Sequence, residues 1–424
     1  MILSGYNNLP GKKCYWDKDG DMGNQLVIDA MRRDRFITIF CYFHCADNNN
    51  LDKSDKLAKL RPLIEAVQKK FIQYFVPEEE LNYDESMVKY FGRHSCKQFI
   101  RGKPIRFGYK VWSVNTKSGY LGNFCIYQGN DPKSNPNYQE VFGKAAAPFV
   151  IMLEELPENK KNLPYSLYFD NLFTGFTLLT HLKNMGYSGT GTIRDNRIAK
   201  SCPLPSKALM KKKERGTYES VIDRTNGIIL VRWADNNIVT VASTADGVSP
   251  IGQVKRYSQT QKTNIQIQRP YVIGKYNASM GGTDLMDENI SRYRIGLRGK
   301  KWWWCLFTWL IDASIQNAWL LHKKAGNKLT QLEFRREIVK SNLTKFRCPA
   351  KSIGRPSKSS SSRSSCRVSD DIRFDQTNHL LTSTTDNKKI RCAGENCKSI
   401  MRTMCQKCKV GLCINCNVNF HTNF

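Results

Sequence analysis

Between Gly108 and Met185 the hydrophobic pattern switches period repeatedly, and this limits the fold more than any other feature of the chain. Gly108-Tyr109-Lys110-Val111-Trp112-Ser113-Val114 and Gly122-Asn123-Phe124-Cys125-Ile126-Tyr127 alternate with the two-residue period of strands. Pro148 to Leu153 then fits a helix, Tyr165 to Phe169 a buried strand, and Thr174 to Met185 a second helix. Strand, strand, helix, strand, helix is the order of an α/β domain. A chain of 424 residues has room for roughly two to four domains.

The flanks differ. Val27 to Met31, Arg35 to Phe40 and Leu60 to Phe75 carry helix-period hydrophobics, so residues 1–75 read as helical. The opening Leu3-Ser4-Gly5-Tyr6 reads as the middle of a domain, and a missing N-terminal portion is expected. No apolar leader of secretory type follows Met1. Residues 194–275 are charged and then strand-rich, with strands expected over Gly216 to Ile222, Ile228 to Trp233 and Ile238 to Ala242, and read as an insertion. Met286 to Lys324 is helical again. Its apolar run Trp302 to Ile311 is about half a membrane span and is followed by Asp312, Gln316 and Asn317, so it reads as a buried helix. Pro349 to Arg367, with a run of serines, five Lys or Arg and no acid, reads as a linker.

Three aspartates carry the chemistry. Asp170 ends the apolar strand Tyr165 to Phe169, Asp84 lies in Asn82-Tyr83-Asp84-Glu85-Ser86-Met87, and Asp284 in Gly281-Gly282-Thr283-Asp284-Leu285-Met286-Asp287. Each alone reads equally well as a helix cap or a turn residue. Together they offer the carboxylate oxygens that Mg²⁺ prefers, and on a helix Asp287 can share a face with Asp284. Lys and Arg number 66 against 37 Asp and Glu, a net charge of +29. That excess favours a polyanion, because each neutralised phosphate releases a counterion. Nothing signals a lipid anchor, which leaves nucleic acid rather than a membrane.

The basic residues Arg93, Lys97, Lys103, Arg106 and Lys110 follow Asp84 and can hold phosphates, or form a solvated strand face. Lys300 and Lys301 beside Trp302 can combine phosphate binding with stacking, although core packing is the commoner role for such tryptophans. Lys211-Lys212-Lys213-Glu214-Arg215 reads as a nuclear signal or a solvated charge run. Cys41-Tyr42-Phe43-His44-Cys45 reads as a buried cysteine face rather than a metal site.

Six of the fifteen cysteines fall in the last 33 residues, spaced Cys392, Cys397, Cys405, Cys408, Cys413 and Cys416, with His421 after them. Two Cys-x2-Cys knuckles and a terminal histidine signal structural Zn²⁺ and a reducing compartment. Seven ligands are one short of two tetrahedral sites, and His379 or Cys366 can supply the eighth. RING and PHD modules share this spacing, so protein binding is an open alternative for the tail.

Tyr83 to Met87, Phe91-Gly92-Arg93, Lys97-Gln98-Phe99, Lys103-Pro104 and Arg106 to Lys110 resemble the first catalytic block of piggyBac-type transposases. Asp170-Asn171-Leu172-Phe173-Thr174-Gly175 is similar to the second block. Gly281 to Asp287, followed by Arg292-Tyr293-Arg294 and Lys301 to Trp304, is similar to the third. Ser4-Gly5-Tyr6, Tyr15-Trp16 and Met31 to Phe36 also fit, so the resemblance covers essentially the whole chain.

The resemblance implies an α/β, RNase H-like catalytic core with a β-rich insertion, flanking helical dimerisation and DNA-binding segments, and a C-terminal zinc module. The implied boundaries are 1–80 helical and N-terminally truncated, 81–193 core, 194–275 insertion, 276–290 core, 291–348 helical, 349–371 linker and 372–424 zinc module. Asp84, Asp170 and Asp284 would bind two Mg²⁺ ions, with Asp287 as an accessory. The implied activity is cleavage and strand transfer at TTAA-flanked transposon ends through DNA hairpins. The implied partners are double-stranded DNA, terminal repeats and a second copy in a homodimer, in the nucleus. The resemblance selects His379 as eighth zinc ligand and an interleaved pairing: Cys392, Cys397, Cys413 and Cys416 on one ion, His379, Cys405, Cys408 and His421 on the other. The alternatives are a host DNA-binding protein that has lost transposition, and a zinc-dependent interaction protein whose core is a scaffold.

Overall fold

The computed structural model describes residues 1–19, 21–129, 131, 134–347 and 368–422. The expected linker over Pro349 to Arg367, with Cys366, lies outside the described residues. The chain divides into two units, Met1–Ala350 and Lys351–Phe424.

The first unit opens with helices α1 (Gln25–Ala30), α2 (Arg33–Tyr42) and α3 (Arg61–Tyr74). Next come β1 (Glu80–Lys89), β2 (Gln98–Phe99), β3 (Phe107–Thr116), β4 (Leu121–Ile126), α4 (Pro136–Phe142), α5 (Ala147–Glu154) and α6 (Glu158–Lys161). Then follow β5 (Ser166–Phe169), α7 (Phe176–Asn184), β6 (Ser188–Thr192), α8 (Lys207–Met210), β7 (Tyr218–Asp223), β8 (Ile228–Ala234) and β9 (Ile238–Ser243). A hairpin of β10 (Gly252–Ser258) and β11 (Thr263–Arg269) leads into α9 (Tyr271–Ser279), α10 (Gly282–Arg292), α11 (Trp304–Lys324) and α12 (Gln331–Lys345). The architecture is mixed α/β.

Strands β1 to β9 form one nine-stranded sheet in the order β2-β3-β1-β5-β6-β9-β8-β7, with β4 also on β3. β1 runs parallel to β5, and β5 to β6, while the other pairs are antiparallel. Strands β7 to β9 continue the same sheet, because β9 pairs with β6 from Thr190↔Ser243 to Thr192↔Val241.

Side-chain alternation gives β1 two different faces. Leu81 and Tyr83 face a core shared with Trp112 and Val114 of β3, Phe149 and Leu153 of α5, and Leu178 and Leu182 of α7. Tyr83 stacks on Phe149 at 4.4 Å and meets Phe173 at 4.5 Å; such pairs contribute about 0.5–1.5 kcal/mol each beyond burial. The opposite face is covered by α3, α10 and α11, through Ile64, Met286, Trp304 and Leu310 against Val88, Tyr109 and Val111.

Polar residues in the middle of α11 are buried too. Asn317 accepts from Leu121 N and donates to Leu121 O, both at 2.9 Å, clamping α11 to β4. Asp312 accepts from Arg335 at 2.5 Å, Arg294 at 3.2 Å and Ile295 N at 3.1 Å. Among the described residues no helix is long and apolar enough to cross a membrane.

One expectation fails at α2. It buries no residue, Cys41 is exposed and Cys45 half-buried, so there is no buried cysteine face. Phe36 and Phe40 only lean on Trp16 and Trp304 at 5.1 and 4.7 Å, which leaves most of the helix to solvent.

The second unit contains α13 (Asp370–Arg373), β12 (Leu381–Ser383), β13 (Ile390–Arg391), β14 (Ile400–Met401), β15 (Thr403–Cys405) and α14 (Ile414–His421). Its strands form two small sheets, β12-β15 and β13-β14.

Candidate active site and metal-ligand clusters

The β1–β5 pairing ends at Tyr83↔Phe169, so Asp84 and Asp170 follow one another's neighbours across strands about 4.8 Å apart. Asn82, Asp84 and Ser86 share the face of β1 that meets α10. Asn82 Oδ1 accepts from Thr283 N at 3.0 Å and Thr283 Oγ1 at 2.9 Å. Two residues beyond Asp84, Ser86 Oγ donates to Asp287 Oδ1 at 2.6 Å. Asp284 lies between these two ties on α10, as Asp84 does on β1. The fold thus carries Asp84, Asp170, Asp284 and Asp287, from three chain segments, to the junction of β1, β5 and α10, although they do not form a group whose ligand atoms all lie within 4.8 Å of one another.

Close approach of α10 depends on Gly282. A Cβ there would sit 2.2 Å from both Asn82 Nδ2 and Thr116 O. Thr283 Oγ1 also reaches Asn115 Oδ1 at 3.1 Å, so the first turn of α10 is bonded to β1 and β3 together.

Burial, with repulsion from Glu85 and Asp170, raises the Asp84 pKa to about 7, against the pull of Lys103 and of the Glu85 N–H. Burial also raises Asp287 to about 6, with Asp284 adding repulsion and Ser86 opposing it. Lys103 approaches Glu85 Oε1 at 3.5 Å. Burial pulls its pKa down, but Asp84, Glu85 and Asp284 outweigh this and the net shift is upward. Clustered hard oxygen donors with a deficit of positive charge suit a divalent cation such as Mg²⁺.

The other predicted basic residues divide. Lys110 stands 4.3 Å over the Trp112 ring, and burial lowers its pKa while Glu85 and Asp170 oppose this; it therefore flanks the acids with Lys103. Exposed Arg93 lines a separate recess with Lys300, Lys301 and Trp302. Lys301 is already engaged, donating to Cys41 O at 3.0 Å and Phe43 O at 2.7 Å. Lys97 lies in the loop before β2, where its N–H bonds His94 O, and Arg106 is exposed ahead of β3. Trp303 and Trp304 are buried, while half-buried Trp302 stacks on His94 at 3.9 Å.

Sequence reading missed the residues that position the acids: Asn82, Ser86, Asn115 and Thr283. Their signal was there, since Asn82, Asp84 and Ser86 form a polar i, i+2, i+4 series within a strand.

In the second unit the fold gathers two ligand groups, His379 with Cys405, Cys408 and His421, and Cys392 with Cys397, Cys413 and Cys416, each within 4.8 Å. These are the two sets expected above, and their order along the chain interleaves them. His379 Nδ1 lies 3.5 Å from Cys405 Sγ and 3.4 Å from Cys408 Sγ, while its Nε2 meets Asp375 Oδ1 at 2.9 Å. His421 Nδ1 meets Arg373 O at 3.0 Å, leaving the buried Nε2 without a partner. A histidine held by one nitrogen and open at the other is oriented as a metal ligand, and thiolate–imidazole sets fit zinc.

The family model described as Transposase IS4 matches residues 1–319. Human PiggyBac transposable element-derived protein 3 is 43% identical over 425 residues, covering 100% of this chain and 68% of that protein. The chain belongs to the piggyBac transposable element-derived family. Human PiggyBac transposable element-derived protein 2 is 36% identical over 395 residues, covering 93% of this chain and 64% of that relative. The chain therefore spans about two thirds of the length of these relatives. The fold resembles a piggyBac transposase synaptic complex with hairpin DNA, solved by cryo-EM, with a TM-score of 0.63 at 17% identity, covering 98% of this chain and 86% of that one. Divalent-metal use is implied by the family, and the acid cluster carries the matching donor type.

Proposed function

We propose that this chain is a divalent-metal-dependent DNA transposase that cleaves and joins strands at TTAA-flanked transposon ends. The observation that carries the reading is the meeting of Asp84, Asp170, Asp284 and Asp287 at the junction of β1, β5 and α10. The run β4-β3-β1-β5-β6, antiparallel and then parallel, supports an RNase H-like core. Residues 194–275 are its insertion, and the helical segments 1–80 and 291–348 its dimerisation and DNA-binding part.

Asp84, Asp170 and Asp284 are assigned as ligands of two Mg²⁺ ions, and Asp287, fixed by Ser86, as the accessory carboxylate. Bound Mg²⁺ would stabilise the attacking and leaving oxygens of an in-line displacement. Lys103 and Lys110 hold phosphates beside the acids, with Arg93, Lys97, Arg106 and Lys300 extending the path of the duplex, while Lys301 braces the recess through Cys41 O and Phe43 O. The Thr283–Asn82 bonds keep α10 in place while DNA enters. The two cysteine clusters bind structural zinc in a cross-braced module that recognises terminal repeats. The protein acts as a nuclear homodimer.

A host-retained DNA-binding protein without transposition is the second reading, favoured by human relatives named as transposable element-derived. Cleavage of a duplex carrying terminal repeats, with Mg²⁺, separates the two. The parent chain is expected to nick it, and Asp170→Ala to lose at least about a hundredfold in rate. Equal nicking by both proteins overturns the acid assignment, whereas binding without cleavage by the parent selects the second reading.

A further inference from the structure

β10 and β11 pair antiparallel from Gly252↔Arg269 to Ser258↔Thr263. One face of this ribbon is occupied: Val254, Ile265 and Ile267 pack with Trp233 and Val241, and Arg256 bonds Asp235 at 2.9 Å. The other face presents three cross-strand pairs, Gln253↔Gln268, Lys255↔Gln266 and Tyr257↔Asn264, all exposed. None of these side chains has a hydrogen-bond or ion-pair partner among the described residues. No Asp or Glu occurs between Asp246 and Asp284. A face kept polar only for solubility normally mixes both signs of charge; this one carries amides, a lysine and no carboxylate.

We propose that this face of the β10–β11 ribbon reads the major groove of duplex DNA, with Gln253, Asn264, Gln266 and Gln268 directed at adenines and Lys255 at a phosphate. The inference rests on the DNA-processing function proposed above and locates part of its sequence preference.

The major groove, about 12 Å wide, admits a two-stranded ribbon, and a carboxamide offers the donor and acceptor that match adenine N7 and N6. Outward side chains on one strand recur about every 6.8 Å, close to two base-pair steps of roughly 3.4 Å. The three pairs therefore span roughly five base pairs. The absence of acids removes the groups that phosphates would repel.

The ribbon is tied to the acid cluster. β11 runs through Pro270 into α9, where Lys275 Nζ donates to Glu80 Oε1 of β1 at 3.1 Å, and α10 with Asp284 follows. Bases read by the ribbon lie at a fixed offset from the acids on β1 and α10.

The test uses the full chain, its Gln253→Ala/Gln266→Ala/Gln268→Ala variant, and Lys255→Ala. Binding to A·T-rich and G·C-rich duplexes of equal length is followed by fluorescence anisotropy over a salt series, with circular dichroism to check folding. The parent is expected to favour the A·T-rich duplex by roughly tenfold or more. The triple variant is expected to bind both duplexes equally, with an unchanged salt slope. Lys255→Ala is expected to keep the preference and flatten the slope by about one unit. A folded triple variant that keeps the parent's preference, or a parent without one, overturns the ribbon proposal and leaves DNA processing standing. A parent that binds neither duplex overturns both.

Discussion

Tyr83, the residue before Asp84, is stacked on Phe149 within a large aromatic core. The buried cluster of the cysteine module consists of Cys392, Cys405, Cys408, Val410, Leu412 and Phe420, so half of it is cysteine. The acid cluster is therefore shaped by packing that exists without a cation, whereas the module, with zinc bound as proposed, would draw its folding energy from the metal. Metal removal is expected to silence the first site and unfold the second.

Zinc stripping, or Cys405→Ser, gives the largest expected effect. Structural zinc supplies on the order of 10 kcal/mol, so residues 368–422 are expected to become protease-sensitive while the melting of the first unit is unchanged. Metal analysis should fall from about two zincs per chain. A module that keeps its fold without zinc breaks the comparison.

Gly282→Ala tests the opposite side. Its Cβ would meet Asn82 and Thr116 O at 2.2 Å, and such overpacking costs about 1–3 kcal/mol. Calorimetry is expected to show a lower midpoint for the first unit, with zinc content intact. Thr283→Val removes the one hydroxyl proton shared by Asn82 Oδ1 and Asn115 Oδ1, while the backbone N–H still reaches Asn82 Oδ1, at a cost of about 1–2 kcal/mol. Urea unfolding measures that loss, and Mn²⁺ titration should show weaker binding as α10 loosens.

Lys103→Ala is the mildest change. The side chain is 35% exposed and its pair with Glu85 is long, so stability is expected to fall by less than about 1 kcal/mol. The salt slope of duplex binding should flatten by about one unit. A large loss of stability would show that Lys103 belongs to the framework rather than to the phosphate path.

Legibility in the sequence followed the same division. Asp170 was readable because the apolar strand before it is short, continuous and followed by a helix. Asp84 was not readable from periodicity, because β1 buries Asn82 and Ser86, each 1% exposed, against α10. Leu81, Tyr83 and Met87 alternate with Asn82 and Ser86, but polar residues turned inward to bond a helix about 200 residues away make a buried face read as a solvated one. Asp84 stood out as a candidate carboxylate, and its role came from the resemblance of the surrounding block. Strands β7 to β9 were visible as strands, but their pairing to β6 is a long-range contact that no local pattern encodes. β10 and β11 were hidden by their polar outward face, with only Val254, Ile265 and Ile267 marking the buried side. The cysteine spacing announced zinc ligands, yet the pairing needed the resemblance, because the spacing also admitted Cys366.

The most direct test of the central claim is the anomalous scattering of Mn²⁺ soaked into crystals of the chain bound to duplex DNA. Manganese peaks bounded by Asp84, Asp170 and Asp284, and absent from the Asp170→Ala protein, are the expected result. Manganese bound elsewhere, or unchanged by that substitution, would contradict the account.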